Sequence, residues 1–259
     1  MTTAIAPQVL VRGPGLCPRK LSEGPLLWLV RTPAADAPLD ISVLDAGERR
    51  RAAALRRPAE RALFVAAHSA LRRVLSAYTG VPAASVRLVR LPCPGCGGPH
   101  GRPALAGPAG AGVHFSLSLS GGLALLGAAT RPLGVGIEEI PAQRLAEEAS
   151  RGLHPSERQQ VTRSPAPVRA GAFARCWTRK EAYLKVTGES LSLGALREVY
   201  VGAGPAPARA PGHRVSDVDV PDGWAAAVAV DVPGTPPARR PVPCAGTDTS
   251  PRDAVKSAG

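Results

Sequence analysis

The chain has 259 residues, enough for one large domain or two small ones with a buried core. Its formal net charge is +12, from 28 arginines and 4 lysines against 20 acidic residues, and so basic a surface suits an acidic partner such as a nucleic acid, a phosphorylated cofactor or an acidic protein. The arginines are scattered, without a helix-turn-helix, a zinc finger or an alternation of aromatic and basic residues, which argues against a nucleic-acid-binding protein.

Five cysteines, an odd number in a chain too long to need disulfides, indicate a reducing compartment, and we expect a cytoplasmic protein. The start of the sequence lacks the long apolar core and the cleavage site of a signal peptide. No apolar run reaches the ~18 residues of a membrane span, so we expect no membrane contact. We also expect a monomer.

The first predicted elements are a strand and a helical pair. Residues 1–24 are punctuated by Pro and Gly, which predicts a loose segment. The apolar run 25–32 predicts a strand. Residues 44–80 have helical periodicity; Pro58 separates a short helix from a longer one, and Gly80 ends the second.

The middle of the chain alternates strands with turns. Residues 87–91 predict a strand, and 93–103, dense in Gly and Pro, predict a loop. Residues 113–129 predict a strand, a Ser-Gly turn and then a strand or short helix. Residues 132–140 predict a further strand that ends in two glutamates.

The last third combines helices and strands. Residues 145–161 predict a broken helix and 168–187 a long one. We expect residues 188–202 to bend into a strand and 223–230 to form the last strand. Residues 231–259 are rich in Pro, Arg, Ser and Thr without a pattern, which predicts a disordered tail.

The predicted order of a strand, a helix and then strands occurs twice along the chain. It favours an α+β fold with two similar halves, residues 25–130 and 131–230, although no sequence repeat supports their similarity.

The segment RCWTRKEAYLK, residues 175–185, holds two of the four lysines, Lys180 and Lys185. On a helix, Trp177, Glu181 and Lys185 lie four residues apart and line one stripe. This spacing alone is also typical of a surface Glu–Lys pair on an amphipathic helix. A functional interpretation therefore needs a second carboxylate elsewhere and an anionic substrate.

A second carboxylate lies at the end of the strand predicted at 132–140. Along a strand, Gly136 and Glu138 face one way and Glu139 faces the other. Glu138 on this strand and Glu181 on a facing helix could share a Mg²⁺ ion, which takes oxygen ligands and keeps several waters.

Five blocks of the sequence resemble motifs of the Sfp-type 4'-phosphopantetheinyl transferases, in the order in which that family has them. They are GRP at 101–103, HFSLSLSGG at 114–122, GVGIE at 134–138, LHPSE at 153–157 and FARCWTRKEAYLKVTGESL at 173–191. The last block resembles the family's W-x-x-K-E-A/S-x-x-K pattern and is the most specific. The resemblance covers roughly residues 40–230.

Members of this family transfer 4'-phosphopantetheine from coenzyme A to a serine of a carrier protein and release 3',5'-ADP. The resemblance implies the same reaction here, and a fold of two pseudo-symmetric α+β halves with coenzyme A between them. Carrier proteins are typically acidic, and steering by opposite charge fits the net charge of +12.

The resemblance also implies roles for individual residues. Glu138 and Glu181 would hold Mg²⁺, and Lys185 would contact the pyrophosphate as a compact point charge. Glu157 would take the proton of the attacked serine, directly or through water. After Pro155 and a serine, Glu157 also fits an ordinary helix start, so both interpretations stay open.

For coenzyme A, the resemblance implies further contacts. Arg102 replaces the lysine of the family's G-K-P turn and would lie near the nucleotide. Ser118 and Lys185 would also contact coenzyme A. Lys180 is grouped with them, and we expect it to form a supporting ion pair. A cluster of arginines would meet the 3'-phosphate or the acidic carrier; its members are Arg49, Arg50, Arg51, Arg56, Arg57 and Arg61.

Two positions depart from the family's pattern. Gly136 stands where the family has a Mg²⁺-binding aspartate, and Leu119 stands where it has a histidine that contacts the 3'-phosphate. Glu139 faces the other side of the strand and cannot replace the missing carboxylate. Three functions therefore stay open: a weakened transferase, a transferase with an altered substrate, and a relative that binds a carrier protein or coenzyme A without turnover.

The loop CPGCGGPH, residues 93–100, holds Cys93, Cys96 and His100. Zinc usually takes four such ligands, and the other cysteines are remote in the sequence. We therefore expect this loop to shape the nucleotide edge of the site, with structural zinc or a redox pair as alternatives.

Overall fold

The computed structural model describes residues 4–9, 19–189 and 191–234 and has an α+β fold, as the sequence predicts. Helices pack against mainly antiparallel sheets in both halves of the chain. No helix within the described ranges is long and apolar enough to cross a membrane.

Within its described residues, the first half contains six strands and two α-helices. They are β1 (Gln8–Val9), β2 (Leu26–Arg31), α1 (Ala46–Ala54), α2 (Pro58–Thr79), β3 (Leu88–Arg90), β4 (Pro103–Leu105), β5 (His114–Ser120) and β6 (Leu123–Ala129). Four of the strands form a sheet in the order β1-β2-β6-β5, and β3 pairs with β4 in a separate ribbon. Helix α2 packs on this sheet, with Leu71 and Leu75 against Trp28 and Leu126.

The part of the second half that the structure describes contains three strands and four α-helices. They are β7 (Leu133–Glu139), α3 (Gln143–Ser150), α4 (Pro155–Arg163), α5 (Ala166–Thr187), α6 (Leu193–Glu198), β8 (His213–Asp217) and β9 (Trp224–Asp231). The strands form an antiparallel sheet in the order β7-β9-β8. Helix α5 lies across this sheet and is buried along most of its length.

The start of α1 and the break before α2 follow from local sequence. Asp45 caps α1 in a capping box with Glu48, which satisfies backbone N–H groups at the helix start. Pro58 occupies the first position of α2, where a missing N–H is harmless. Helix α2 ends at Gly80 in a left-handed conformation with φ of 70°, which glycine adopts at low cost.

The two sheets meet along β5 and β7, and serine side chains bridge them. Ser116, Ser118 and Ser120 alternate along β5, so their side chains share one face. Each hydroxyl oxygen accepts a backbone N–H of β7: Val135 N–H to Ser116 Oγ (3.1 Å), Ile137 N–H to Ser118 Oγ (3.1 Å) and Glu139 N–H to Ser120 Oγ (3.2 Å). We call this line of contacts the serine seam.

An apolar cluster also joins the two sheets. It contains Leu29 and Leu125 of the first sheet with Val135, Ile137 and Val228 of the second. The chain passes from β6 to β7 around residue 131, where the sequence placed the boundary between halves. That the halves are independent or pseudo-symmetric stays a prediction.

Helix α5 approaches β7 so closely that two positions of the strand accept only glycine. A Cβ atom on Gly134 would lie 2.0 Å from the carbonyl oxygen of Ala182, and one on Gly136 would lie 2.4 Å from that of Thr178. Because both obstacles are helix backbone, they cannot move aside as the end of a flexible side chain could.

Three predicted elements differ from the structure. Residues 188–202 were expected to bend into a strand, but the described part of this segment contains helix α6, capped by Ser192. The sequence prediction missed β8, and it extended the loop at 93–103 into the start of β4.

At both ends of the chain the structure also differs from the prediction. The segment 1–24 was expected to be loose, yet β1 pairs with β2 in parallel and Ile5 bridges to Val218. At the other end, β9 runs to Asp231 and the structure describes the chain to residue 234. The rest of the predicted tail lies outside the described residues.

Candidate active site

A cleft of about 540 Å³ opens between α1, the β3–β4 ribbon, β5 and the C-terminal end of α5. Basic and imidazole side chains from across the chain line it: Arg51, His68, Arg90, His100, Arg102 and Lys185. Its volume is typical of sites for small molecules and cofactors. Three carboxylates line it as well, those of Asp45, Glu48 and Glu189, so four cationic side chains leave a small positive excess that suits an anionic ligand.

Two arginines of the cleft have pKa values lowered by partial loss of solvent, with Arg90 an exposed residue and Arg102 partly buried. Burial lowers the pKa of Arg90, and repulsion from Arg51 lowers it further. Burial also lowers the pKa of Arg102, while Asp231 acts in the opposite direction. Hydrogen bonds to the carbonyl oxygens of Gly101 (3.1 Å) and Val186 (3.2 Å) hold the two guanidinium groups in place. An anion bound here would relieve the repulsion.

The serine seam also positions the two predicted metal-binding carboxylates. Ser118 Oγ donates to Glu181 Oε1 at 3.0 Å, and Ser120 Oγ donates to Glu138 Oε1 at 2.9 Å. The two serines are two residues apart on one face of β5, which separates their Cα atoms by about 7 Å. Glu181 from α5 and Glu138 from β7 are thus held next to each other along one strand.

Lys185 lies beside Glu181 and faces the cleft. Its Nζ is 2.7 Å from Glu181 Oε1 and donates to the carbonyl oxygens of Leu117 (2.8 Å) and Val135 (3.0 Å). These contacts fix the ammonium group between β5 and β7. The side chain keeps 22% of its surface exposed, so a ligand in the cleft can reach it.

Gly136 lies on the same face of β7 as Glu138, and a Cβ atom there would lie 3.1 Å from Glu181 Oε2. A side chain at this position would therefore point at the Glu181 carboxylate. The carbonyl oxygen of Thr178 occupies the space that such a side chain needs. The close packing of α5 thus gives a steric reason for glycine here, which the sequence alone does not reveal.

The donor set fits a hard divalent cation. It consists of the Glu138 and Glu181 carboxylates with serine hydroxyls beside them, all oxygen, which Mg²⁺ prefers. Gly136 contributes no ligand, so water would complete the coordination.

Glu157 and Lys180 lie elsewhere, and this corrects their predicted contacts with substrate. Both side chains are fully buried, with Lys180 Nζ 2.5 Å from Glu157 Oε2. Neither lines the cleft. Glu157 is thus not placed to take the serine proton, and Lys180 is placed as a supporting ion pair and not as a coenzyme contact.

The backbone around residue 200 completes the surroundings of this pair. Glu157 Oε1 accepts the backbone N–H groups of Val201 (2.7 Å) and Gly202 (3.0 Å). Lys180 Nζ donates to the carbonyl oxygens of Leu196 and Val199. The pair therefore ties α4 and α5 to the segment that follows α6.

The remaining predicted coenzyme contacts divide between the cleft and its surroundings. Of the arginine cluster, Arg51 lines the cleft, whereas Arg49 and Arg61 are exposed and do not. Arg61 donates to the carbonyl oxygen of Leu55. Ser118 is buried behind the cleft in contact with Glu181, while Leu119 lines the cleft where the family's histidine would stand.

The sequence prediction missed an ion-pair network around Arg72, of which Asp45, Glu48 and His68 line the cleft. The fully buried Arg72 donates to Asp45 Oδ2 and Glu48 Oε2, both at 2.6 Å, and His68 Nδ1 lies 3.0 Å from Glu48 Oε1. Burial alone would raise the pKa of Glu48, but hydrogen bonds with His68, Asp45 and Arg72 lower it to about 2. This network fixes α1, and with it Arg51, on α2; the D-x-x-E capping pattern was its only signal in the sequence.

Comparisons with known proteins point to one family. The family model described as the 4'-phosphopantetheinyl transferase superfamily matches residues 132–216. The 4'-phosphopantetheinyl transferase HetI of Nostoc sp. is 31% identical over 219 residues, covering 81% of this chain and 89% of the relative. A putative 4'-phosphopantetheinyl transferase of Synechocystis sp. is 28% identical over 68% of this chain and 69% of its own. A 4'-phosphopantetheinyl transferase of Bacillus pumilus is 37% identical over 31% of this chain and 34% of its own.

Proposed function

The chain belongs to the 4'-phosphopantetheinyl transferase superfamily, and we propose that it transfers 4'-phosphopantetheine from coenzyme A to a serine of an acyl or peptidyl carrier protein. The observation that carries this proposal is that two carboxylates are held beside a lysine that lines the basic cleft. Glu138, Glu181 and Lys185 come from a strand and a helix, and the serine seam holds them together.

In this reaction the serine oxygen attacks the β-phosphorus of coenzyme A, the bond to the oxygen of the leaving 3',5'-ADP breaks, and the serine proton passes to water, since the buried Glu157 is not placed to take it. Negative charge builds up on the pyrophosphate, so catalysis depends on cations held in place beforehand. Lys185 offers an ammonium group fixed by two carbonyl oxygens, next to the carboxylates. Mg²⁺, held by Glu138 and Glu181, supplies charge neutralisation when bound.

The arginines of the cleft bind the nucleotide end of coenzyme A. Arg51, Arg90 and Arg102 line one pocket, and the repulsion between Arg51 and Arg90 favours a phosphate ligand there. Leu119 offers apolar contact and no hydrogen bond, so phosphate binding rests on these guanidinium groups.

A carrier protein of acidic character fits the charge of the chain. With a formal net charge of +12, the association rate with such a partner is raised by long-range attraction and falls as salt is added.

A second function, binding of a carrier protein or coenzyme A without turnover, is favoured by one observation. The Thr178 carbonyl fills the space beside Gly136 where a metal-binding aspartate side chain would lie. Such a protein would bind its ligand but leave the serine unmodified.

The test is mass spectrometry of an apo carrier protein incubated with the purified protein, coenzyme A and Mg²⁺. A gain of one phosphopantetheine arm supports the transferase, and the Mg²⁺ concentration needed reports the cost of Gly136. The matched controls are a carrier whose serine is replaced by alanine and the variant Lys20→Ala, which removes an exposed lysine outside the cleft. No mass gain with any carrier, together with measurable binding of coenzyme A, would establish the second function instead.

A further inference from the structure

The loop between β3 and β4 brings two thiols and an imidazole together at the rim of the cleft. The candidate ligand atoms of Cys93, Cys96 and His100 all lie within 4.8 Å of one another, and Cys96 Sγ is 2.9 Å from His100 Nε2. Cys93 is buried, whereas Cys96 and His100 are exposed. The pattern C-x-x-C-x-x-x-H thus brings its two thiols and its imidazole close together in space.

The backbone of the loop is folded to produce this convergence. The Cys93 N–H donates to the Gly98 carbonyl at 2.8 Å, and the Gly97 N–H donates to the Cys93 carbonyl at 2.7 Å. Gly97 has a left-handed φ of 73°. A Cβ atom on Gly98 would lie 3.0 Å from the His100 ring and 3.4 Å from Cys96 Sγ. Glycines therefore allow the turn and leave room for the imidazole beside the thiol.

We propose that Cys93, Cys96 and His100 bind one zinc ion, with water in the fourth coordination position. Thiolate and imidazole are ligands that Zn²⁺ prefers and Mg²⁺ does not. Tetrahedral coordination at normal Zn–S and Zn–N bond lengths separates ligand atoms by about 3.5–3.8 Å, which the 4.8 Å cluster reaches with small side-chain shifts.

Counting ligands along the sequence made zinc the less favoured alternative, because four protein ligands are usual in structural sites. The geometry revises that expectation, since proteins also hold zinc with three side chains and one water, which is the coordination of catalytic zinc sites. The exposed side of the triad, at Cys96 and His100, leaves that fourth position to solvent.

The position of the triad assigns the ion a role in shaping the cleft. His100 lines the cleft, and Arg102 follows it after one residue. Between them, Gly101 is packed so tightly that a Cβ atom would lie 2.5 Å from the Leu91 carbonyl oxygen. An ion that closes the loop at residues 93–100 would therefore hold the backbone that presents Arg102, without taking part in the transfer.

The test uses the full-length protein, stripped with a chelator under reducing conditions and then titrated with Co²⁺ alone and with Zn²⁺ alone. We expect one equivalent of metal, thiolate-to-cobalt charge-transfer bands in the near ultraviolet, loss of these bands when Zn²⁺ is added, and a higher Tm with Zn²⁺. None of these readouts depends on transferase activity, so failure of the proposed function would leave this test intact.

Two variants and one control decide the assignment. Cys96→Ser changes an exposed thiol, which the fold tolerates, and should lower the Co²⁺ affinity at least 100-fold and abolish the Tm shift. His100→Ala should do the same, whereas Lys20→Ala, at an exposed residue outside the loop, should bind metal like the wild type. Less than 0.1 equivalent of bound metal, or equal binding by Cys96→Ser, would overturn the proposal. A third outcome would replace the proposal with a Cys93–Cys96 disulfide. In that case the protein takes up no metal, and the peptide that contains the loop, prepared without reductant, is two hydrogens lighter than the same peptide after reduction.

Discussion

Replacing Gly136 tests the close packing of α5 on the strand that carries Glu138. A Cβ atom at this position would lie 2.4 Å from the Thr178 carbonyl oxygen and 3.1 Å from its carbonyl carbon. Both are helix backbone, so relief requires α5 to move away from β7. Overpacking of this kind costs about 1–3 kcal/mol, and we expect Gly136→Ala to lower the free energy of unfolding by that amount.

Two other glycines calibrate the measurement. Gly134→Ala places a Cβ atom 2.0 Å from the Ala182 carbonyl oxygen, so we expect it to cost at least as much as Gly136→Ala. Gly204 has no atom within 4 Å of its Cβ position and no left-handed φ, so Gly204→Ala should change stability by less than about 0.5 kcal/mol. Urea unfolding of the three variants gives the comparison, since two-state free energies follow from midpoint and slope.

Gly136→Asp adds a charge to the same steric problem. The new carboxylate would lie beside Glu181, so the variant should be less stable than Gly136→Ala without Mg²⁺ and should gain more stability than the wild type when Mg²⁺ is added. Restoring the family's aspartate is therefore not a simple reversion. If Gly136→Ala unfolds at the same urea concentration as the wild type, the reasoning from close packing is refuted.

Three further predictions follow from buried charges and from the cleft. Glu157→Gln should lower the free energy of unfolding by about 3–5 kcal/mol, because it leaves the Lys180 ammonium buried without its counter-charge. The control Glu23→Gln, at an exposed site, should leave the unfolding free energy unchanged in the same urea assay. Equal effects of the two variants would contradict the role of the buried pair. Folding lowers the pKa of Glu48 from its ordinary 4.5 to about 2, so the ionised carboxylate contributes about 3 kcal/mol to the free energy of unfolding above pH 4.5, and this contribution is lost as the pH falls toward 2. Glu48→Gln should therefore flatten the dependence of the unfolding free energy on pH in this range. An unchanged pH dependence would show that another group is responsible. Lys185→Ala should lower the transfer rate by about 10²–10³-fold in the carrier mass assay while the fold, checked by circular dichroism, persists; a near-normal rate would remove the lysine from the mechanism.

The elements that the sequence predicted well are those with a strong local signal. The apolar run around Trp28 gave β2, Pro58 and Gly80 bounded α2, and the pattern before Gly188 gave α5. Each depends on residues close in the chain. Helix α6 was mistaken for a strand because its six residues contain too few turns to show a period.

The site was predictable where a strand or helix fixes the direction of a side chain. Strand alternation placed Glu138 on the face toward α5, and helical spacing brought Lys185 to Glu181. The burial of Glu157 was not predictable, since it depends on backbone N–H groups some 44 residues away in the chain. The local sequence around a glutamate at a helix start is the same whether its side chain caps the helix, contacts a substrate or forms a buried ion pair.

The choice of Arg51 over its neighbours likewise depends on tertiary structure. Six arginines fall between residues 49 and 61, and only the packing of α1 on α2 decides which of them faces the cleft. That packing depends on the ion pairs of the buried Arg72. The amino-acid composition does not distinguish Arg72 from the other arginines among the 28.

The serine seam has a mechanical consequence for the molecule. The hydroxyls of Ser118 and Ser120 each form two bonds at once, accepting from the backbone of β7 and donating to a carboxylate of the site. A hinge motion that separated β5 from β7 would therefore break the joint and release Glu181 and Glu138 in the same movement. The joint between the two sheets and the positioning of the two carboxylates thus depend on the same two hydroxyl groups.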